Sequence, residues 1–156
     1  MLIKKLKDFL DGRDIQYSII YHSPANTAQR AAASAHIRGK DLAKTVMIRA
    51  DDEIVMAVLP ANYRIDFNLL KDAIGADTVS LVSEEEFCDL FPDCEAGAMP
   101  PFGNLYYLHV IVEERLTADT EIAFNGGSHT ELVKMSYKDF ETLVHPVVKE
   151  FSVKQH

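Results

Sequence analysis

The sequence predicts a single α+β domain, a curved, barrel-like mixed β-sheet with helices packed on its outside. Three observations predict it. Strand-like segments outnumber helix-like ones. The strands follow one another in hairpin and crossover arrangements rather than alternating with helices. The 156 residues, 47% of them hydrophobic, form one uninterrupted stretch without repeat, low-complexity tract or linker, enough for one core.

The elements follow in chain order. Residues 2–10 carry Leu2, Ile3, Leu6, Phe9 and Leu10 at helical spacing, with Gly12 as a stop. Residues 15–21 alternate and are β-rich, a short strand that His22-Ser-Pro-Ala-Asn26 breaks. Thr27 is placed to cap an alanine-rich helix over 28–36 that ends near Gly39. Residues 44–50 and 53–59 form the clearest hairpin, turning at Asp51-Asp52 and ending at Pro60. In it Val46, Ile48, Val55, Ala57 and Leu59 suit a half-buried face. Asp66 caps a helix through Ile74, and Gly75 terminates it. Residues 78–82 are a strand. Ser83-Glu-Glu-Glu86 is a capping box whose hydroxyl and carboxylate serve first-turn amides, opening a helix that stops before Pro92. A loop over 97–103 leads into a long apolar strand over 105–112. Strands at 122–124 and 132–135 flank Asn125-Gly-Gly-Ser-His129, and Ser136 caps a last helix that ends near Pro146.

Composition narrows the setting. The N-terminus alternates lysine and apolar residues without the apolar run of a signal peptide. No stretch approaches the roughly 18 apolar residues of a membrane helix. Cys88 and Cys94 are too few for a disulfide framework and are expected as ordinary thiols, one of them buried. Together these predict a cytoplasmic protein without a membrane partner. The net charge of -8 opposes broad contact with a nucleic-acid backbone, and DNA is not an expected partner. Basic residues nevertheless bunch at Arg30, Arg38, Lys40, Lys44 and Arg49, a candidate local patch.

GxSxG, P-loop, HExxH and GxGxxG motifs are all absent. The histidines, at 22, 36, 109, 129, 145 and 156, lack ligand spacing, so no metal and no cofactor is expected. A lysine and two glycine-bearing loops remain. Locally Lys44 is either a solvated strand-edge lysine or a fixed cation able to bind phosphate or polarise a carbonyl. Gly97 and Gly103 enclose Pro100-Pro101, which fits a rigid connection as well as a backbone that approaches a ligand closely. Asn125-Gly126-Gly127 is a good turn signal, followed by Ser128 and His129.

In order, Leu42-Ala-Lys44-Thr45, Val58-Leu-Pro60, Gly97-Ala-Met-Pro-Pro-Phe-Gly103 and Asn125-Gly-Gly127 resemble the YbaK/EbsC-type domains, which are related to the editing insertion of bacterial prolyl-tRNA synthetases. The resemblance covers about residues 15–150. It implies hydrolysis of the ester that joins a wrong, small amino acid to the terminal adenosine of tRNA, a second sieve. Such an ester is already activated, so the protein has mainly to orient it and stabilise an oxyanion. The resemblance assigns the chemistry to Lys44, Gly97, Gly103 and Gly127, with amides of the two glycine loops holding the carbonyl or a water. Substrate binding falls to Thr45, Met99, Phe102, Asn125, Gly126, Ser128 and His129, the last lining the aminoacyl pocket. It implies no metal, cofactor or covalent intermediate. The implied partner is the aminoacylated tRNA acceptor end, with an aminoacyl-tRNA synthetase as a second candidate. Lys44-Thr45 is similar to the cysteinyl-type editors rather than the alanyl type, which carry Lys-Asn, whereas Gly-Gly-Ser-His129 departs from the cysteinyl type. A binding module without turnover is the alternative.

Overall fold

The computed structural model describes residues 2–25 and 27–155. Met1, Asn26 and His156 lie outside it, and with them the last residue of the expected break at 22–26 and the sixth histidine.

Helix α1 (Lys4–Asp11) leads into β1 (Tyr17–Tyr21), and α2 (Ala28–Ser34) into the hairpin β2 (Ala43–Ala50) and β3 (Glu53–Pro60). Then come β4 (Tyr63–Ile65), α3 (Phe67–Ile74), β5 (Val79–Leu81) and α4 (Glu84–Phe87). The second half holds β6 (Val110–Glu113), β7 (Glu121–Asn125), β8 (Glu131–Ser136), α5 (Tyr137–Val144), β9 (Val147–Lys149) and β10 (Ser152–Lys154). The caps act as their chemistry requires. The Thr27 hydroxyl accepts from the Arg30 N–H at 3.1 Å, Asp66 from Asn68 and Leu69 at 3.0 Å each, and Ser136 from Asp139 at 3.0 Å. Ser83 accepts from the Glu86 N–H. The Glu86 carboxylate reaches back to the Ser83 backbone N–H, as the capping box requires. It accepts from the Ser83 hydroxyl and pairs with Arg49.

The fold is α+β with mixed pairing, but the sheet is not a closed barrel. Five strands run in the order β5-β2-β3-β6-β9, three in the order β1-β8-β7, and β10 pairs with β4. β2–β3 is antiparallel, whereas β3–β6 and β6–β9 are parallel. A bridge between Leu42 and Ala123 joins the two larger sheets. The hairpin is covered on both faces rather than one. Ile48, Ala50, Val55, Ala57 and Leu59 pack with Leu70 and Phe151, while Ala43, Met47, Met56 and Val58 pack into the main core. Pro60 therefore ends a central strand instead of an exposed hairpin.

The expected strand at 105–112 begins only at Val110. Residues Gly103–Tyr106 form a 3-10 turn, Tyr107 is left-handed at φ 60°, and the Leu108 N–H returns to the Gly103 carbonyl at 2.9 Å. Tertiary pairing makes strands of β4, β9 and β10, three residues each, which carry no alternation long enough to recognise. Helix α2 stops at Ser34, and a 3-10 turn at Gly39–Asp41 precedes β2. Both cysteines are free, and neither is fully buried: Cys88 is exposed and Cys94 half-buried.

Candidate active site

Lys44 sits opposite Leu59 near the start of β2. It is half-buried, and its Nζ donates to the Ala61 carbonyl at 3.4 Å. No carboxylate lies within ion-pair distance among the described residues. Burial alone lowers its pKa from the ordinary lysine value. Three other cations of the expected basic patch are neutralised: Arg38 by Asp41, Lys40 by Asp41 and Asp119, and Arg49 by Glu86. The patch is thus largely an ion-pair surface, and Lys44 is its desolvated, unpaired member. Thr45 projects to the opposite face of the strand and pairs with Val58.

Ala61 organises this corner. Its N–H donates to the carbonyls of Gly39 at 3.1 Å and Leu42 at 2.8 Å, while its carbonyl receives Lys44. With Ala25, Ala31, Ala32, Leu42, Ala123 and Leu132 it forms a small buried cluster under α2. Short side chains let the helix backbone approach the sheet closely. The sequence carried no signal for Ala61 beyond its following Pro60.

The loop over 97–103 divides into one exposed residue and a buried remainder. Gly97 is exposed at φ 81°, and its N–H makes no hydrogen bond among the described residues. Met99 and Phe102 are buried in the main core, Phe102 with ring centroids 6.0 Å from Phe9 and 5.5 Å from Phe124 and Phe140. A Cβ on Gly103 would lie 2.7 Å from Val110 Cγ2. Met99, Phe102 and Gly103 therefore support the loop from beneath.

The second glycine loop is also occupied. The Gly126 N–H donates to Glu131 O at 3.3 Å and the Gly127 N–H to Ala98 O at 3.0 Å. Their carbonyls accept from Ile3 and Glu95 at 3.1 and 2.8 Å. A Cβ on Gly126 would overlap Leu2, and one on Gly127 would overlap Ile3. These two glycines clamp the N-terminal segment and the 95–98 turn. Their amides are not free to hold a carbonyl or a water, as the resemblance implied. Asn125 ends β7 opposite Leu132, and Ser128 is buried with its hydroxyl 3.3 Å from that of Thr130.

His129 is the residue this loop delivers. Its Nε2 lies 2.6 Å from the Ala96 carbonyl. A carbonyl only accepts, so Nε2 carries a proton in this contact. A Cβ on Gly97 would be 3.6 Å from His129 Cε1, so the exposed amide and the imidazole are neighbours. The Ala25 N–H holds the His129 carbonyl at 3.2 Å, and Ala25 shares the small buried cluster with Ala61. One packed unit thus supports His129 at one end and Lys44 at the other.

The structure thus offers an unpaired, half-buried lysine, an exposed glycine amide and a histidine held by a backbone carbonyl, groups suited to orienting a ligand by charge and hydrogen bonding. Among the described residues no group of three or more His, Cys, Asp or Glu could hold a metal ion. The chain belongs to the aminoacyl-tRNA editing domain family, whose profile matches residues 22–143. It is 26% identical over 142 residues to the prolyl-tRNA editing protein ProX of Acetoanaerobium sticklandii, covering 86% of this chain and 85% of that one. It is likewise 26% identical over 156 residues to the multifunctional Ser/Thr-tRNA deacylase ProXp-y of Escherichia coli K12, covering 95% and 91%. The fold matches a crystal structure of a candidate trans-editing enzyme for prolyl-tRNA synthetase, with a TM-score of 0.80, 19% identity and coverage of 98% and 96%. It also matches the hypothetical protein APE2540, with a TM-score of 0.86, 20% identity and coverage of 96% and 100%.

Proposed function

We propose that this protein hydrolyses mischarged aminoacyl-tRNA in trans, acting as one domain on the ester at the tRNA 3′ end. The juxtaposition of the exposed Gly97 amide with His129, on the same support as Lys44, is the observation that carries the reading. Lys44 anchors the terminal nucleotide or the ester by charge, and its desolvation strengthens that attraction. The Gly97 N–H stabilises the oxyanion. His129 borders the amino acid and limits its size. The oxygen of water bonds to the carbonyl carbon, the bond to the ribose oxygen breaks, and a proton passes to that oxygen. The products are a free amino acid and tRNA with its terminal hydroxyl restored.

The names of the two relatives support this activity, and serine and threonine join alanine and cysteine as candidates. The chain also aligns at 26% identity over 90 residues with the proline--tRNA ligase of Bacillus cytotoxicus, spanning 16% of that protein. That supports a synthetase as second partner. A cytoplasmic setting suits this work, and no helix among the described residues is long and apolar enough to cross a membrane. A panel of aminoacyl-tRNAs incubated with folded protein tests the reading. Release of a small amino acid is expected, and release from no member of the panel overturns it. The net charge of -8 favours a second reading, a module that binds without turnover, which retention of charged tRNA in the same panel would reveal.

A further inference from the structure

A cavity of about 420 Å³ opens at the Gly39–Asp41 turn, three residues before Lys44, and is walled on its far side by the chain entering β7. Ala61 ties the two places together, since its N–H holds the Gly39 carbonyl and its carbonyl holds Lys44. The cavity's charged groups are only partly satisfied. Lys40 Nζ bridges Asp41 Oδ1 at 3.0 Å and Asp119 Oδ1 at 3.5 Å, leaving its third proton free. Arg38 gives its Nε to Asp41 Oδ2 at 2.9 Å, and its side chain is otherwise 74% exposed. Asp119 is the anomaly. Its side chain is 5% exposed, and its Oδ2 is buried with no donor against it among the described residues, the neighbouring Asp41 being itself a carboxylate. A buried polar atom left unpaired costs stability, of order 1–3 kcal/mol, unless something fills it. Burial, with Asp41 close by, pushes this carboxyl up to about 6. Ile37 and Ala118 add apolar surface to the lining.

We propose that this cavity is a nucleotide subsite for the RNA substrate, taking a base that carries an exocyclic amino group. The amine donates to Asp119 Oδ2, the adjacent ring nitrogen accepts from Lys40, and the phosphate lies against Arg38. A carboxylate is the natural acceptor for the N4 amine of cytosine. Uracil differs from cytosine there by an oxygen, whose lone pairs would face the buried carboxylate. The subsite therefore distinguishes cytosine from uracil, and the Gly39–Ala61–Lys44 hydrogen bonds connect its rim to the lysine that would meet the RNA end. The inference rests on the tRNA-editing reading for the identity of the RNA, while its ligand chemistry stands on the cavity alone.

Titration of the full chain with cytidine 5′-monophosphate, uridine 5′-monophosphate and inorganic phosphate, followed by amide NMR, tests it. The cytidine nucleotide is expected to shift amides at 38–41 and 118–123 and to bind about tenfold tighter than the uridine nucleotide. A short oligoribonucleotide ending in CCA should bind the same amides more tightly than either, which separates an RNA end from a free nucleotide. Asp119→Asn is expected to abolish the preference. Should that variant fail to fold, Lys40→Met, at a half-exposed side chain, is expected to weaken the cytidine nucleotide about tenfold. Equal binding of the two nucleotides, identical shifts from phosphate alone, shifts elsewhere or no saturable binding would each overturn the subsite. Binding is read without turnover, so a protein that deacylates nothing yet prefers cytidine keeps the subsite and loses the editing reading. A deacylase that does not bind cytidine here does the reverse.

Discussion

Lys44 Nζ and the Ala61 carbonyl are joined by a 3.4 Å hydrogen bond, the one hydrogen bond of this ammonium among the described residues. That one long bond, without an opposing carboxylate, leaves most of the cation's field to be directed at a ligand.

Replacing Lys44 with alanine should cost activity far more than stability. A loss of about 100-fold or more in kcat/KM is expected from removing a preorganised charge, with thermal unfolding changed by less than about 1 kcal/mol. Lys44→Arg should recover part of the activity, because the charge returns in a different shape. Burial lowers the Lys44 pKa, so its charge is lost at a lower pH than that of an ordinary lysine. The alkaline limb of the pH–rate profile should accordingly fall below 10.5, and it should disappear in the arginine variant.

Gly97→Ala and His129→Ala separate rate from selectivity. Alanine at φ 81° is strained by roughly 1–2 kcal/mol and crowds the exposed amide, so slower release of every amino acid in the panel is expected. His129→Ala opens the neighbouring space, so the ratio of rates for a larger to a smaller amino acid should rise. An unchanged ratio would remove His129 from the aminoacyl pocket.

Gly127→Ala should act through folding. The φ of 109° and the overlap with Ile3 predict a loss of about 2–4 kcal/mol by chemical denaturation. Ile3→Ala in the same chain should return part of it, since the new methyl then has room. A catalytic amide at Gly127 would give no such rescue, so the double variant decides between the two roles.

Glu113 should set the acid limb of stability. Its side chain is fully buried, and it accepts from Phe151 N at 3.0 Å, Ser152 N at 3.0 Å, Ser152 Oγ at 2.7 Å and Arg115 N at 3.0 Å. Burial alone would raise its pKa, but the Ser152 hydroxyl and the backbone N–H groups outweigh it and hold the carboxyl below the usual glutamate value. A depressed folded pKa stabilises above the unfolded value and is lost as pH falls through the folded one, so the contribution fades below about 4.5. Glu113→Ala should cost about 3–5 kcal/mol at neutral pH, and Glu113→Gln should flatten the acid limb. Asp119 carries the opposite sign. With its carboxyl raised to about 6, it favours the folded state increasingly as pH drops from 6 toward 3.8. Asp119→Asn should remove that rise in a pH series of melting temperatures, with His36, Arg38, Lys40, Asp41, Glu121 and Lys134 as the other ionisable side chains of the cavity lining.

Much of this protein was legible residue by residue. The caps at Thr27, Asp66, Ser83 and Ser136, the stop at Gly75 and the 44–59 hairpin depend on neighbours within a few positions, which a sequence displays directly. The order of the lysine and the two glycine loops was enough for the family. Residues 105–109 misled, because Leu105, Tyr106, Tyr107 and Leu108 are as apolar as a strand but form a turn closed on Gly103, which buries Tyr106 and leaves Tyr107 exposed. β9 and β10 exist only because the chain returns to β6 and β4.

The glycine loops show where local information ends. By itself the sequence determined that glycine-bearing loops lie at 97–103 and at 125–127, and that Lys44 precedes them on a strand. Only the tertiary structure decided which amides are free. Gly126 and Gly127 spend theirs on Glu131 and Ala98 beneath Leu2 and Ile3, while Gly97 keeps its own beside His129. An amide's availability is a matter of which distant segment folds against it, and no spacing along the chain records that. The same holds for Asp119 and Lys40, nearly eighty positions apart, whose meeting at 3.5 Å on the cavity wall no spacing along the chain foretells.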